Sequence, residues 1–389
     1  METYLVGGAV RDKLLGLPVR ERDWVVVGST PEEMLARGYT PVGRDFPVFL
    51  HPQTRDEYAL ARTERKTGHG YTGFATCSDP GITLEQDLLR RDLTINAMAE
   101  TAAGELIDPY GGRADLQNGV LRHVSPAFAE DPVRILRIAR FAARFAPLGF
   151  HVAHDTNKLM RAMVAQGEVD YLVPERVWAE LVKALAEAAP ARFFAVLQGC
   201  GALERLFPEM LPLASAGNGH QRSAIALPVL GAAVALSDNT CIRFAAWICD
   251  LDNGTPGGLP DAALQALCAR QRAPNACREL ALMALRHRKQ VHSAAGLGAE
   301  DLLALLEALD AFRRGERLEQ LLLVCEADAR AANPGLAQYA PAALLRQARN
   351  AARAVRADTR PGVAGKEIGA QLQRQRVAAI RQMLAPGPG

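Results

Sequence analysis

The chain has no pair of cysteines spaced C-x-x-C. Its seven cysteines, at 77, 200, 241, 249, 268, 277 and 325, are odd in number and scattered. That pattern argues against a zinc ribbon and against a disulfide framework, and it fits a reducing, cytoplasmic setting. The chain also lacks an apolar run long enough to cross a bilayer. The longest, Ala224 to Leu236, contains Pro228 and falls short of the roughly 20 residues that a spanning helix needs. No leader precedes the first strand signal, so a soluble protein with no membrane partner is expected. Net charge is only +2 over 389 residues, so overall charge names no partner. No fixed-period repeat is evident.

What is present is length enough, at 389 residues, for two to four compact units, and an apolar fraction of 49% that allows a sizeable core. Residues 1 to about 121 alternate strand and helix signals. Tyr4-Leu5-Val6, Asp23 to Val27, Phe46 to Leu50 and Glu57 to Ala61 read as strands. Ala9 to Leu15 reads as helix, and Thr30-Pro31-Glu32-Glu33 opens another with an N-cap, a proline at N1 and acids in the first turn. Thr63 to Gly81 reads as a mobile loop, Leu84 through Ala99 as helical, and Ile107 to Gly112 as a turn. Beyond residue 121 the spacing is helical almost throughout, with loops at Asn218 to Arg222 and Asp252 to Pro260. Arg346 to Arg381 holds eight arginines and one lysine against Asp358 and Glu367, while the remainder is slightly acidic. A polyanion partner is expected at that end.

The chemistry concentrates in the first third. Gly7-Gly8 closes an apolar strand and opens a helix, so a phosphate can approach the backbone. Glu21 and Asp23 stand at i and i+2, the spacing that puts two side chains on one strand face, where paired carboxylates hold divalent metal. A solvated strand edge would need neither the glycines nor Arg11 nearby. Arg90-Arg91-Asp92 opens an apolar segment; Arg91 suits a triphosphate, and Asp92 or Arg90 a ribose hydroxyl, although a charged helix end with an internal ion pair has the same composition. In Glu130-Asp131-Pro132-Val133-Arg134, Asp131 is either a plain helix cap or one half of an acceptor–donor pair with Arg134 able to read a base edge. Arg137 and Arg140 continue the cationic stripe. Gly68-His69-Gly70-Tyr71-Thr72-Gly73 fits G-x-G-x-x-G but follows a charged segment rather than a buried strand, so it is no dinucleotide fingerprint. Arg346, Arg349, Arg353, Arg356 and Arg360 step by 3, 4, 3, 4, one face of a continuous helix and suited to phosphate contact.

Leu5 to Asp12, Glu21-Arg22-Asp23, Ala61 to Arg65 with the glycine loop, Arg90-Arg91-Asp92, Glu130 to Arg134 and Glu175-Arg176-Val177-Trp178 together resemble the class II CCA-adding tRNA nucleotidyltransferases of the bacterial multifunctional type, over roughly residues 1 to 180. The resemblance implies an α+β, polymerase-β-like nucleotidyltransferase head over 1–121, followed by an all-α neck over 122–195, body over 196–335 and basic tail over 336–389. It implies template-independent addition and repair of the tRNA 3′-CCA from CTP and ATP by two-metal chemistry with Mg²⁺. Glu21 and Asp23 would be catalytic and hold metal. Gly8, Arg11, Arg91, Arg137 and Arg140 would contact the nucleotide, Asp131 and Arg134 would read the base, Glu175 to Trp178 would brace the neck, and the tail arginines would hold the tRNA elbow. Oligomeric state stays open, with a monomer favoured.

Two departures stand out. The first metal carboxylate is commonly Asp in this family and is Glu21 here. Multifunctional members also carry a His-Asp phosphohydrolase core in the body, whereas this chain reads Ile248-Cys249-Asp250-Leu251-Asp252-Asn253-Gly254 with no histidine between Ala224 and Trp247. The phosphohydrolase activity is expected to be lost and the body to be structural. The rival readings are a poly(A) polymerase of the same superfamily, an A-only or CC-only enzyme, a metal-dependent phosphohydrolase on nucleotide ends, and an inert tRNA-binding module.

Overall fold

The computed structural model describes residues 1–42, 48–66, 74–214, 225–356 and 365–385. They divide into two compact units, Met1–Pro208 and Glu209–Gly389. The segments expected as head and neck both fall in the first, those expected as body and tail mostly in the second.

The first unit is built on a seven-stranded sheet of order β3-β4-β5-β2-β1-β8-β9. β1 (Glu2–Val6) pairs antiparallel with β2 (Asp23–Val27), with Val6 opposite Asp23, and α1 (Gly8–Leu14) lies between them in sequence. After α2 (Pro31–Ala36), β3 (Thr40–Val42) and β4 (Val48–Leu50) lead to β5 (Glu57–Leu60), which runs parallel to β2. The run Val25-Val26-Val27 is apolar because both faces of β2 are covered. Val25 joins Val6, Leu84 and Leu88 in one core; Val26 joins Met34, Phe49 and Leu60 in the other. Thr30 caps α2 as expected, its hydroxyl accepting from the Glu33 N–H at 3.3 Å.

Three local expectations need correction. Thr63 to Gly81 is not all loop: β6 (Thr63–Lys66) and β7 (Phe74–Cys77) pair as an antiparallel ribbon, with Thr63 opposite Cys77. Its charged residues hide the strand, because backbone ladders need no apolar side chain. The glycines Gly68 to Gly73 lie outside the described residues. The helix expected over Leu84 to Ala99 stops early. α3 (Leu84–Leu89) opens with a Thr83–Gln86 capping box, and Ala99 then enters β8 (Ala99–Glu100), which pairs with β1 and with β9 (Leu106–Ile107). Finally, β2 begins at Asp23, so Glu21 lies just ahead of the strand rather than in it.

The unit continues with α4 (Gly112–Gln117), β10 (Val120–Leu121), α5 (Val133–Phe145), β11 (His151–Val152), α6 (His154–Ala165), α7 (Pro174–Ala186), α8 (Ala191–Cys200) and α9 (Ala202–Leu206). β10 and β11 form a short parallel pair. α5 packs against α7 and α8, and its Ile135, Leu136, Ile138 and Phe141 are all buried.

The second unit is helical where described: α10 (Leu211–Ala214), α11 (Pro228–Leu236), α12 (Thr240–Gly254), α13 (Asp261–Arg270), α14 (Asn275–His292), α15 (Ala299–Ala308), α16 (Gly315–Ala332), α17 (Ala340–Ala354) and α18 (Gly365–Leu384). α12 sits centrally against α11, α14 and α16 and buries Phe244, Trp247, Ile248 and Leu251. A disulfide joins Cys241 of α12 to Cys277 of α14, against the expectation of no cross-link. Their separation of 36 residues hid a contact that helix packing creates, with Cα atoms 4.5 Å apart. Nor do the tail arginines share one helix: α17 ends at Ala354, so Arg356 lies beyond it, and Arg360 lies outside the described residues. Among the described residues, no helix is long and apolar enough to cross a membrane.

Candidate active site

A cavity of about 780 Å³ opens in the first unit, and its wall carries nine arginines against six carboxylates. That volume suits a small-molecule ligand. Gly8, Arg11, Glu21, Asp23, Arg90, Arg91, Asp92, Asp131, Arg134, Arg137 and Arg140, separated by up to 132 positions in sequence, all line it.

Three of the carboxylates, Glu21, Asp23 and Glu57, gather about the start of β2. Asp23 opens β2 directly opposite Val6, at the end of the strand that leads into Gly7 and Gly8. Gly7 adopts φ +68°, a turn conformation that favours glycine, and a Cβ there would lie 2.8 Å from Arg91 Nη1, so a side chain would displace that guanidinium. The Asp23 carboxyl is pushed up by loss of water; Arg91 opposes this, and neighbouring Glu21 adds to it. Glu57 is the in-register partner of Asp23 on β5 and lines the same cavity. Among the described residues, no three His, Cys, Asp or Glu side chains are grouped closely enough to hold a metal ion. The residues nevertheless fit a divalent cation of the kind that takes one or two carboxylates and completes its shell with substrate phosphates. Hard oxygen donors are present, and a bound cation would offset both the desolvation that raises Asp23 and the smaller repulsion from Glu21.

The arginines of the cavity are braced. Arg11 is buried, donating to Asp12 Oδ1 at 2.8 Å and to Asn96 Oδ1 at 2.5 Å, with its guanidinium over Phe141 and Phe145. Burial pushes its pKa down while Asp12 holds it up. Asp12 also accepts from Arg144 at 2.8 Å. Asp92 accepts from Arg137 Nε at 2.7 Å, from Asn96 Nδ2 at 3.0 Å and from the Leu93 N–H at 2.9 Å. Burial alone would raise its carboxyl; Arg137 and these hydrogen bonds prevail and hold it far below the usual carboxylate range. Arg140 bonds Glu180 at 2.6 Å. Arg90 and Arg91 both pair with fully buried Asp87, at 2.8 and 3.2 Å. The Arg91 Nε–H is buried with no partner among the described residues, a donor that an anionic oxygen would satisfy.

Asp131 and Arg134 lie at the start of α5. Asp131 accepts the Val133 N–H at 3.1 Å, so the capping reading holds, and it also takes both arms of Arg176, at 3.2 and 2.8 Å. Arg134 donates to the carbonyls of Arg90 at 2.7 Å and Ala127 at 3.3 Å.

Four charged residues of the cavity were not read as site candidates in the sequence. Glu57 shows only through strand register. Arg144 extends the arginine spacing of 134, 137 and 140 by one more turn. Arg176 sits inside a segment read as a brace, and Glu180 follows it by one helical turn. In the second unit, Cys249 is fully buried and its thiol is pushed well up by that burial. Asp250 accepts the N–H groups of Val229 and Leu230, at 3.0 and 2.9 Å, and so caps the start of α11. Of the tail arginines, Arg346 pairs with Glu319 and Arg349 donates to the Ala311 carbonyl at 2.8 Å; Arg353 and Arg356 are exposed.

Two family models match: the Poly A polymerase head domain over residues 3–122, and the probable RNA and SrmB-binding site of polymerase A over residues 149–213. The chain is similar to the multifunctional CCA protein of Thioalkalivibrio sulfidiphilus, with 55% identity covering 100% of both chains. It is also 55% identical to that of Nitrosococcus oceani, over 98% of each. Its fold is similar to a CCA-adding enzyme in apo form II, with a TM-score of 0.69 and 21% identity, covering 100% of this chain and 89% of the other. The head-domain match and this full-length identity place the chain in the family of multifunctional CCA proteins, the class II CCA-adding enzymes.

Proposed function

We infer that this chain adds C, C and A to the 3′ end of tRNA from CTP and ATP, releasing pyrophosphate, in the cytoplasm. The observation that carries this is the convergence of eleven motif residues on one cavity lined by nine arginines and six carboxylates. The 3′-hydroxyl of the tRNA attacks the α-phosphorus of the bound nucleotide, and the bond to pyrophosphate breaks. Glu21 and Asp23 would hold Mg²⁺, which when bound lowers the pKa of the attacking hydroxyl and neutralises the leaving oxygens. The backbone at Gly8 and the side chains of Arg11, Arg91, Arg137 and Arg140 bind and orient the triphosphate. Each of these guanidinium groups is held by a carboxylate, so little reorganisation is required during transfer. Arg90 and Asp92 support the ribose end. Asp131 accepts the exocyclic amine that cytosine and adenine share; Arg134 donates to the adjacent ring nitrogen. Uracil and guanine present a carbonyl and an N–H at those positions and leave both protein groups opposed.

Arg346, Arg349, Arg353, Arg356 and Arg360 are assigned to tRNA, with Arg353 and Arg356 the best placed. The second unit is structural in this reading, since Asp250 is committed to a helix start and a buried thiol takes the histidine position. Incubation of 3′-truncated tRNA with each nucleotide separately and together, read at nucleotide resolution, tests the proposal. Addition of C, C and A in order supports it. Long A tails on unrelated RNA would instead favour the poly(A) polymerase reading that the head-domain match leaves open.

A further inference from the structure

Asp131 meets more than a helix start. Its Oδ1 accepts twice, from the Val133 N–H at 3.1 Å and from Arg176 Nη1 at 3.2 Å. Its Oδ2 accepts the second arm of Arg176 at 2.8 Å. A carboxylate offers about four acceptor positions. Oδ1 is therefore filled, while Oδ2 keeps one lone pair in reserve. The two parallel N–H···O bonds also fix the carboxylate plane, because a guanidinium fork matches a carboxylate in one orientation. Arg176 comes from α7 and Asp131 from the approach to α5, and both line the cavity. The pair is partly shielded from water, with side-chain exposures of 28% and 18%.

We propose that Arg176 is a positioning residue for base selection: it clamps Asp131 so that one lone pair of Oδ2 alone remains for an incoming exocyclic amine. The inference rests on the reading of Asp131 as a base-contacting group. Without the clamp, the Val133 N–H alone holds the carboxylate, its plane is no longer fixed, and a second acceptor position opens to water or to the ring N–H of a wrong base. With it, a single acceptor stands in a fixed place next to the Arg134 donors, which two backbone carbonyls anchor in turn. An amine-bearing base is satisfied at both contacts. A base with a carbonyl there faces a carboxylate that cannot rotate away. Selectivity then comes from rigidity as well as from hydrogen-bonding capacity.

The test uses the full chain with tRNA lacking its 3′-CCA, and compares Arg176→Ala, Arg176→Lys and Asp131→Ala with the parent. Steady-state kinetics are measured for CTP, ATP, UTP and GTP. Loss of two hydrogen bonds to a charged group is expected to cost Arg176→Ala about tenfold in CTP and ATP KM and a similar factor in discrimination against UTP, with kcat within about threefold. Arg176→Lys keeps the charge but not the fork, so it should recover less than half of the lost discrimination on a logarithmic scale. Thermal melting of each variant separates this from bracing. A lower Tm with unchanged KM and unchanged UTP discrimination makes Arg176 a brace and overturns the proposal. Loss of discrimination in Asp131→Ala but not in Arg176→Ala removes the clamp and leaves base reading intact. Unchanged discrimination in Asp131→Ala removes base reading itself. If Arg176→Ala fails to fold, Arg176→Lys alone decides: full parental selectivity overturns the clamp.

Discussion

Asp23 and Glu57 are register partners on adjacent parallel strands, and both side chains line the nucleotide-sized cavity. A carboxylate absent from the Glu21-Asp23 signature thus stands beside it. Asp23→Ala is expected to abolish nucleotide addition. Glu57→Gln keeps the size and removes the charge; it should lower activity by about 10- to 100-fold, the range for groups that support a metal ligand. A Mg²⁺ titration of initial rates checks both. Unchanged rate and Mg²⁺ dependence in Glu57→Gln would remove Glu57 from the site. Glu21→Asp shortens the carboxylate by one methylene and should retain activity.

The Asp92–Arg137 pair couples stability to pH. Burial opposes the charge on Asp92, but Arg137 and the hydrogen bonds win and depress its pKa in the fold. A depressed carboxylate contributes stability that is present above its unfolded pKa, about 4, and lost as pH falls through the folded value. Unfolding free energy should therefore fall on acidification below about pH 4. Asp92→Asn should flatten that fall and cost about 1–3 kcal/mol at neutral pH, below the full cost of breaking a buried pair because Arg137 is partly exposed. Denaturant titrations at pH 3 to 7 measure it.

Asp250 predicts the opposite slope. Burial pushes its carboxyl up to about 7, although the Val229 and Leu230 N–H groups oppose the shift. A raised pKa favours the protonated form in the fold, so the contribution is full below about pH 4 and is lost as pH rises through about 7. Asp250→Asn should reduce the pH dependence of stability in that window. Asp250→Ala should cost about 1–2 kcal/mol through removal of the cap. Hydrolysis of 2′,3′-cyclic nucleotides to nucleoside monophosphates should be absent with Mg²⁺, Mn²⁺, Ni²⁺ or Co²⁺ alike; metal-dependent ring opening would restore the phosphohydrolase reading.

The tail arginines divide by what they touch. Arg353→Ala together with Arg356→Ala should weaken tRNA binding and lower the slope of log K against log salt by roughly 0.7 to 0.9 for each phosphate no longer neutralised. Arg349→Ala should act on the fold instead, because its guanidinium donates to the Ala311 carbonyl and lies against Gly315. Tm and filter binding at several salt concentrations distinguish the two classes.

Much of this site could be read from one dimension, because its members announce themselves locally. Gly7-Gly8 marks a backbone turn, Glu21 and Asp23 a paired charge, Arg90 to Asp92 and Asp131 to Arg140 charged helix starts. Residue type and short spacing carry that chemistry, and full-length identity to the multifunctional CCA proteins shows the family. Tertiary structure decided what depends on distant backbone. Strand register put Glu57 beside Asp23, and helix packing delivered Arg176 from 45 positions away onto Asp131. The packing of α12 brought Asp250 to the start of α11 and Cys241 to Cys277. Local patterns encode the period of a segment and the charge it carries; they do not encode which distant segment will bury against it, since that choice is made by the whole core at once.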